Sequence, residues 1–438
     1  MMMRWIAAFV LVVGASLPAR AAVDIQEVTS PGGITAWLVE DHSIPFTALE
    51  LRFKGGTSLD APDRRGAVNL MTALLEEGAG DLDAQGFLKA RQDLAARFSF
   101  NSGMDSVSVS ARFLTESREQ SLELLRKALV APRFDPQALE RVRGQVLSTI
   151  ASDEKDPRAI ANRTFDRLAF GDHPYGHAPD GTRESVTALT RDDILAAHAA
   201  TIARDRLYVG VVGDITAEAL GPLLDRLLGD LPAEGAPMPD DVAVQLAGGT
   251  TVVPFETPQS VAVFGHAGMD ETDPDFFAAH IMNQILGGGG FQSRLMTELR
   301  EKRGLTYGVY SFLAPMEHAA LVMGQVASAN ESIAEAVQLV REQWADVAEN
   351  GVSADELEAA KKYITGAYPL RFDGNGAIAR ILAGMQFAGR PITYIETRND
   401  RMNAVTLDDV KRVAARLLQP DELHFVVVGQ PEGLSATQ

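Results

Sequence analysis

The chain of 438 residues contains no cysteine. Disulfide bonds are therefore excluded, and so is a lipid anchor on an N-terminal cysteine. A metal site in this protein would have to be built from the eight histidines and the acidic side chains, without thiolate ligands.

The chain also lacks an excess of basic residues. It has 40 lysines and arginines against 59 aspartates and glutamates, which gives a formal net charge of −19. Proteins that bind nucleic acids neutralise phosphates with clustered basic side chains, and no such cluster occurs in the sequence. Because the acidic residues are spread over helical faces, we interpret them as a solubilising surface and exclude nucleic acid as a partner.

Long apolar runs are absent except near the N-terminus. Arg4 is followed by an apolar stretch over residues 5–17 and by a small-residue signature at residues 19–21. This layout is typical of a cleaved signal peptide, and the apolar stretch is shorter than a helix that spans a bilayer requires. We predict a signal peptide at residues 1–21, a periplasmic location, and no membrane span after cleavage.

What the chain does contain is an internal repeat. The same spacing separates Thr190 from Thr406 and Gly213 from Gly429. In each copy the threonine is the predicted N-cap of a helix with acidic residues in its first turn, where the helix dipole favours them. A β-branched strand that ends at the glycine follows the helix, so the repeat predicts two copies of one domain.

Two further matches and the strand pattern support the duplication. Residues 66–80 resemble residues 277–290, and residues 134–139 resemble residues 352–357. Strand candidates alternate with a period of two, as in residues 106–113, which is typical of an antiparallel sheet with one covered face. We predict an α+β fold with two duplicated domains, each a mainly antiparallel sheet packed with helices.

A stretch rich in proline and glycine near the middle of the chain predicts the boundary between the domains. We predict an N-terminal domain at residues 22–232, a linker at residues 233–245 and a C-terminal domain at residues 246–438.

The glycine-bounded segment at residues 54–78 and the stretch at residues 293–307 both resemble the pitrilysin/insulinase family of zinc metallopeptidases, which includes the mitochondrial processing peptidases. The resemblance extends over residues 23–429. Members of that family carry an inverted zincin motif, His-x-x-Glu-His, on the first of these helices, where two histidines bind zinc and the glutamate is the general base.

The three motif positions of this chain hold Asn69, Thr72 and Ala73. Alanine has no ligand atom, asparagine is a poor zinc ligand, and threonine is not a base at physiological pH. The third ligand of the family is a downstream glutamate, and residues 147–150 read Leu-Ser-Thr-Ile at that place. The resemblance therefore implies a degenerate zinc motif and no cofactor in this chain.

The remaining histidines offer no replacement motif. His173 and His177 are four residues apart, but Pro-Tyr-Gly lies between them and is not helical. His280 lies on the duplicate helix and is followed by Asn283 and Gln284, so the inverted motif fails there too.

The second half keeps the family's most recognisable stretch. Read by itself, it predicts a helix that begins after Ser293 and ends at Gly304, followed by a strand over residues 305–312. In family members an arginine on this helix and a tyrosine seven residues later bind the substrate backbone and polarise the scissile carbonyl. The resemblance thus makes Arg300 and Tyr307 the candidate catalytic and substrate-binding residues. Without the resemblance, the spacing would not indicate catalysis. An arginine on a helix is usually a solvated surface residue, and a tyrosine on a strand is usually half-buried and contributes to packing.

In two-chain members of the family, the two subunits enclose a chamber that admits unfolded peptides. One subunit carries zinc and the other carries the arginine–tyrosine pair. The resemblance implies that this chain is the non-zinc subunit of a heterodimeric periplasmic peptidase, inactive by itself. Its partner would be a homologous subunit that bears the zinc motif, and zinc is expected only there. Two alternatives remain: an inert scaffold of the same fold, or a peptide-capture module that pairs an edge strand with an extended peptide.

Overall fold

The structure of the protein is a computed structural model that describes residues 24–436. The predicted signal peptide at residues 1–21 lies outside the described residues. Over the described range, every helix is too short or too polar to cross a bilayer.

The first half is built around a six-stranded sheet. Its strands are β1 Gln26–Thr29, β2 Thr35–Glu40, β3 Phe46–Lys54, the short pair β4 Gly78–Ala79 and β5 Leu82–Asp83, β6 Arg97–Ser102, β7 Ser106–Leu114 and β8 Leu207–Gly213. Its helices are α1 Ala67–Leu74, α2 Ala84–Asp93, α3 Arg118–Val130, α4 Pro136–Asp153, α5 Pro157–Phe170, α6 Arg183–Ala188, α7 Arg191–Thr201 and α8 Ala217–Leu228. The sheet order is β1-β2-β8-β3-β7-β6. All neighbours are antiparallel except β2 and β8.

The second half is built around a five-stranded sheet. Its strands are β9 Gly249–Pro254, β10 Gln259–Ala267, β11 Thr306–Pro315, β12 Ala320–Ala329 and β13 His424–Gly429. Its helices are α9 Phe276–Asn283, α10 Ile333–Asn350, α11 Ala354–Ala367, α12 Asn375–Phe387, α13 Tyr394–Ala404 and α14 Leu407–Leu417. The sheet order is β11-β12-β10-β13-β9, again antiparallel except for β9 and β13.

The two sheets confirm the predicted duplication. Read from the parallel pair, the order β2-β8-β3-β7-β6 of the first half is matched by β9-β13-β10-β12-β11 in the second. Both predicted threonine caps are formed, because Thr190 accepts a hydrogen bond from the backbone N–H of Asp193 and Thr406 accepts one from Asp409. The period-two pattern of β7 is also confirmed, since its apolar side chains alternate into the core.

One helix of each half packs on the sheet of the other half. On α5, Phe165 and Phe170 are buried against Val263 and Val426 of the second sheet. On α12, the apolar face meets the first sheet in a separate cluster with Trp37. The two helices therefore join the halves through two apolar layers. The domain boundaries at residues 232 and 245 stay a prediction.

A buried tyrosine closes the seam between the halves. Tyr175 is fully buried, donates its hydroxyl hydrogen to the Asp105 carboxylate, and accepts a hydrogen bond from the backbone N–H of His318 at 3.1 Å. The backbone N–H of Glu317 donates to the same Asp105 at 3.2 Å, and the Glu317 carboxylate pairs with Lys54. Groups from four separate segments of the chain therefore meet at one junction.

Candidate functional site

The stretch that carries Arg300 and Tyr307 is shaped by local rules. The backbone N–H of Met296 donates to the Ser293 hydroxyl at 3.4 Å, which confirms the predicted N-cap. Residues 294–301 are helical, and the part at Met296–Glu301 is wound as a π-helix. At the end, Gly304 has a φ of +66°, and the N–H groups of Gly304 and Leu305 donate back into the last turn. The bond from Gly304 to the Arg300 carbonyl is that of an αL ending with glycine at C′, and it confirms the predicted glycine stop.

Arg300 is the basic side chain of this stretch that has no acidic partner among the described residues. Its Cζ lies 4.5 Å from the ring centroid of Phe291, which is itself 62% exposed. A guanidinium held over an exposed ring keeps its N–H donors available to an incoming acceptor. The other basic side chains are each paired with carboxylates: Arg294 with Glu356, and Lys302 and Arg303 with Glu298.

Tyr307 lies at an irregular point of β11, where the pairing with β12 shifts between Thr306 and Val309. The Thr306 hydroxyl accepts a hydrogen bond from the backbone N–H of Gly308 at 3.0 Å, which fixes this bulge. The result is a tyrosine that is 87% exposed and whose hydroxyl bonds to none of the described residues. The described residues include no hydrogen bond or ring contact between Tyr307 and Arg300.

The exposed aromatic surface continues along β11. Tyr310 and Phe312 point to the same side with their rings stacked at 6.2 Å, and the Tyr310 hydroxyl donates to Gln325 at 2.6 Å. Phe291 and Tyr307 are exposed as well, and Phe291 lies against Arg300. An exposed aromatic strip beside a free cation suits contact with another chain.

Helix α9 and the turn after it pack against β11 and hold it in place. The Ser311 hydroxyl donates to the side-chain oxygen of Asn283 at 2.7 Å, and the Asn283 amide donates to the Ser311 carbonyl at 3.1 Å. At Gly287 an added Cβ would lie 2.3 Å from the Ser311 hydroxyl, so this glycine is needed for the close approach of the two elements. The backbone N–H of Val309 is directed at the Met296 sulfur at 3.4 Å. The free side of β11 is therefore partly covered by its own domain.

The degenerate motif positions have structural roles. The Asn69 amide donates to Asp180 at 2.8 Å, and its oxygen accepts from the Ser102 hydroxyl at 3.0 Å, so Asn69 joins α1 to β6 and to the loop before α6. Thr72 is buried and donates to the Val68 carbonyl at 2.8 Å. Ala73 is exposed and presents only a methyl group.

These side chains do not fit a zinc ion. In residues 24–436, no group of three His, Asp or Glu side chains comes together in a way that could hold a metal. His173 and His177 flank a 3-10 turn, and burial lowers the pKa of each. Zinc in a partner stays a prediction.

One residue near this motif was missed by sequence reasoning. Asp60 accepts hydrogen bonds from the backbone N–H groups of Gly66 at 2.8 Å and Val68 at 2.9 Å, and it thereby caps α1. Burial raises the pKa of Asp60 to about 6, although these two bonds oppose the shift. An acidic residue six positions ahead of the N-cap Gly66 is not a recognised capping pattern, so the sequence carried no usable signal.

Comparison with known families covers most of the chain. Residues 36–181 match the family described as insulinase (peptidase family M16), and residues 188–364 match the domain described as the peptidase M16 inactive domain. A protein of Helicobacter pylori named non-peptidase homolog YmxG is 25% identical over 95% of this chain and 97% of its own length. An uncharacterized zinc protease of Streptomyces coelicolor is also 25% identical, over 90% of this chain and 87% of its own.

Solved structures agree with these matches. A peptidase M16 inactive domain from Pseudomonas fluorescens superposes with a TM-score of 0.87 and 29% identity, covering 95% of this chain and 99% of that one. A protease from Helicobacter pylori superposes with a TM-score of 0.83 over 93% of this chain and 99% of that one, at 16% identity, and so supports the fold alone. With both halves matched, the duplicated sheets in place and the resemblance at Arg300 and Tyr307, this chain belongs to the insulinase family, peptidase family M16.

Proposed function

We propose that this chain is the non-zinc subunit of a heterodimeric zinc metallopeptidase in the periplasm. A homologous partner with an intact motif would supply the metal, its ligands and the general base. The observation that carries the proposal is that Arg300 has no acidic partner among the described residues and that Tyr307 is exposed. In the same chain, Asn69 and Thr72 at the motif positions have structural partners. The periplasmic location rests on the signal-like sequence at residues 1–21.

In this proposal Arg300 and Tyr307 act as hydrogen-bond donors. As the scissile carbonyl is attacked, its oxygen gains negative charge, and donors already in place stabilise that charge without reorganising. The guanidinium offers several N–H groups in a rigid fork, and the phenol offers one O–H. Removing one donor of this kind raises the barrier by roughly 3–4 kcal/mol, or about 10²–10³ in rate.

The test is peptidase activity against a small unfolded peptide. The chain is assayed alone and together with a homologue that carries the zinc motif, and activity is expected only in the mixture. Arg300→Ala and Tyr307→Phe in the mixture are then expected to lower kcat by about 10²-fold or more each.

The structure provides a matched control for each variant. Arg303→Ala removes an arginine from the same stretch that is already paired with Glu298. Tyr310→Phe removes a hydroxyl from the same strand that already donates to Gln325. Both controls should leave kcat within about threefold of the wild-type pair. Equal activity of the Arg300 and Tyr307 variants and their controls would assign the chain to the scaffold class.

The peptide-capture alternative is supported by β6. This strand is the last in its sheet, and its backbone on the open side bonds to none of the described residues. By contrast, the free side of β11 is partly used by Asn283 and Met296. Tight peptide binding by the chain alone, weakened by a proline placed within β6, would favour capture over catalysis.

A further inference from the structure

A cavity of about 490 Å³ lies under α9, in the second half. Its walls come from α9, β11, α13 and the 3-10 turn Tyr368–Phe372. His280 and Asn283 of α9 and Gln284 directly after it contribute to the lining, and these residues occupy the places that the zinc motif takes on the repeated helix. The cavity is therefore the second-half counterpart of the family's metal-binding region.

A buried arginine without a counter-charge lines this cavity. Arg398 is only 7% exposed, and its guanidinium donates to the neutral amide oxygen of Asn399 at 3.0 Å. Its Cζ lies 4.2 Å from the ring centroid of Tyr368. No carboxylate in the described chain pairs with it, and burial lowers the pKa of Arg398. Burying an uncompensated cation costs several kcal/mol, which is a large cost for a residue with only a structural role.

The other ionisable groups of the cavity leave a net positive charge. Arg390 is neutralised by Glu271, whereas Arg371 is exposed and has no acidic partner among the described residues. Burial, with Arg398 and Arg371 nearby, lowers the pKa of His280 to about 4, so the imidazole is neutral at pH 7. Two positive charges, Arg371 and Arg398, thus remain without compensation.

Aromatic side chains make up much of the remaining wall, in particular Phe276, Phe277 and Phe312. An anion with an apolar body next to its charged group can contact these rings while its charge meets the arginines. A planar carboxylate matches a guanidinium through two parallel hydrogen bonds. One desolvated arginine and one solvent-exposed arginine suit a single negative charge better than a dianion.

We propose that this cavity binds the carboxylate of a ligand with an apolar or aromatic body, with Arg398 as the main partner and Arg371 at the entrance. The carboxylate can come from a small organic acid or from the C-terminus of a peptide. The site is separate from Arg300 and Tyr307, and it requires neither zinc nor a partner subunit.

Calorimetric titration of the chain alone tests the proposal. The probes are N-acetyl-phenylalanine, its amide, the tripeptide Ala-Ala-Phe and inorganic phosphate. The acid should bind and the amide should bind at least about tenfold more weakly, since the loss of a charge-assisted bond has that effect. Binding of the tripeptide as tightly as the acid assigns the site to peptide C-termini, whereas binding of the acid alone assigns it to small acids.

Variants of the protein distinguish a loss of ligand binding from a loss of folding. Arg398→Gln should weaken acid binding by about tenfold or more without lowering the melting temperature, because a buried unpaired charge is removed. Arg371→Ala, at an exposed position, should weaken binding less. Arg401→Ala is the matched control, because Arg401 is exposed on the same helix and does not line the cavity.

Three results would overturn the proposal. The first is equal binding of the acid and its amide. The second is wild-type affinity in both Arg398→Gln and Arg371→Ala. The third is binding of phosphate without binding of either carboxylate. None of these depends on peptidase activity, so a failure here is distinct from a failure of the proposed function.

Discussion

Tyr175→Phe is expected to destabilise the junction between the two halves, because it removes the hydroxyl and leaves the packing of the ring unchanged. The hydroxyl donates to the Asp105 carboxylate and accepts from the backbone N–H of His318, and the residue is fully buried. Burial and the nearby Asp105 charge raise the pKa of Tyr175, so the hydroxyl is a donor at neutral pH.

The size of the effect follows from these two bonds. A hydrogen bond to a charged group contributes roughly 1.5–3 kcal/mol, and a buried N–H left without an acceptor costs roughly 1–3 kcal/mol. We therefore expect Tyr175→Phe to lower the free energy of unfolding by about 3 kcal/mol. Tyr208→Phe is the matched control, because the Tyr208 hydroxyl has no hydrogen-bond partner among the described residues while its ring contacts Phe387. Its effect should stay within about 0.5 kcal/mol.

Urea unfolding followed by tryptophan fluorescence and far-UV circular dichroism measures both variants. Trp37 lies where α12 packs on the first sheet, and Trp344 lies in the core of the second half, so fluorescence reports on both regions. In an Asp105→Ala background, Tyr175→Phe should cost clearly less, because the partner is already gone. A loss below about 0.5 kcal/mol in the wild-type background, or equal losses in both backgrounds, would refute this reasoning.

Three further variants test other parts of the structure. Burial raises the pKa of Asp166 from 3.8 to about 7. Between these two pH values the folded chain keeps a proton on Asp166 that the unfolded chain has released. The free energy of unfolding should therefore fall as the pH rises over that range. Asp166→Asn should remove this pH dependence and stabilise the protein above pH 7 by on the order of 1–4 kcal/mol, with no gain below about pH 4, as followed by melting temperature against pH. Thr406→Ala removes a capping box and should cost about 1 kcal/mol in urea unfolding, and no change would contradict the cap. Gly287→Ala places a methyl group against the Ser311 backbone nitrogen at 2.7 Å and should cost at least about 2 kcal/mol, whereas Gly308→Ala, which has open space, should be nearly neutral in the same assay.

The features that the sequence predicted correctly depend on nearby residues or on the repeat. The caps at Thr190 and Thr406 and the ending at Gly304 are formed within a few residues of the chain, so their signals are local. The alternation of β7 reflects one buried face, which any packed sheet requires. The repeat predicted that two copies of one sequence pattern would build two sheets of the same order.

The candidate site was predicted only in part. The resemblance singled out Arg300 and Tyr307, but it could not show that the nearby basic residues would be paired and Arg300 would not. It could not show that a bulge would turn Tyr307 into solvent either. The pair Arg294–Glu356 and the irregular pairing of β11 with β12 join segments that are far apart in the chain, and one sequence carries no record of those contacts.

By itself, the sequence predicted the duplication, the caps at Thr190 and Thr406 and the ending at Gly304, because residue types and spacings decide these. It also has neither histidine nor glutamate at residues 69, 72 and 73. Only the tertiary structure decided that α5 and α12 each pack on the sheet of the other half and that Asn69 binds Ser102 and Asp180. It alone decided, too, that Arg398 is buried with no carboxylate partner among residues 24–436. An amphipathic helix needs an apolar surface to cover, and the pattern does not say which of two equivalent sheets provides it. A charge is compensated or isolated only once all neighbouring segments are in place.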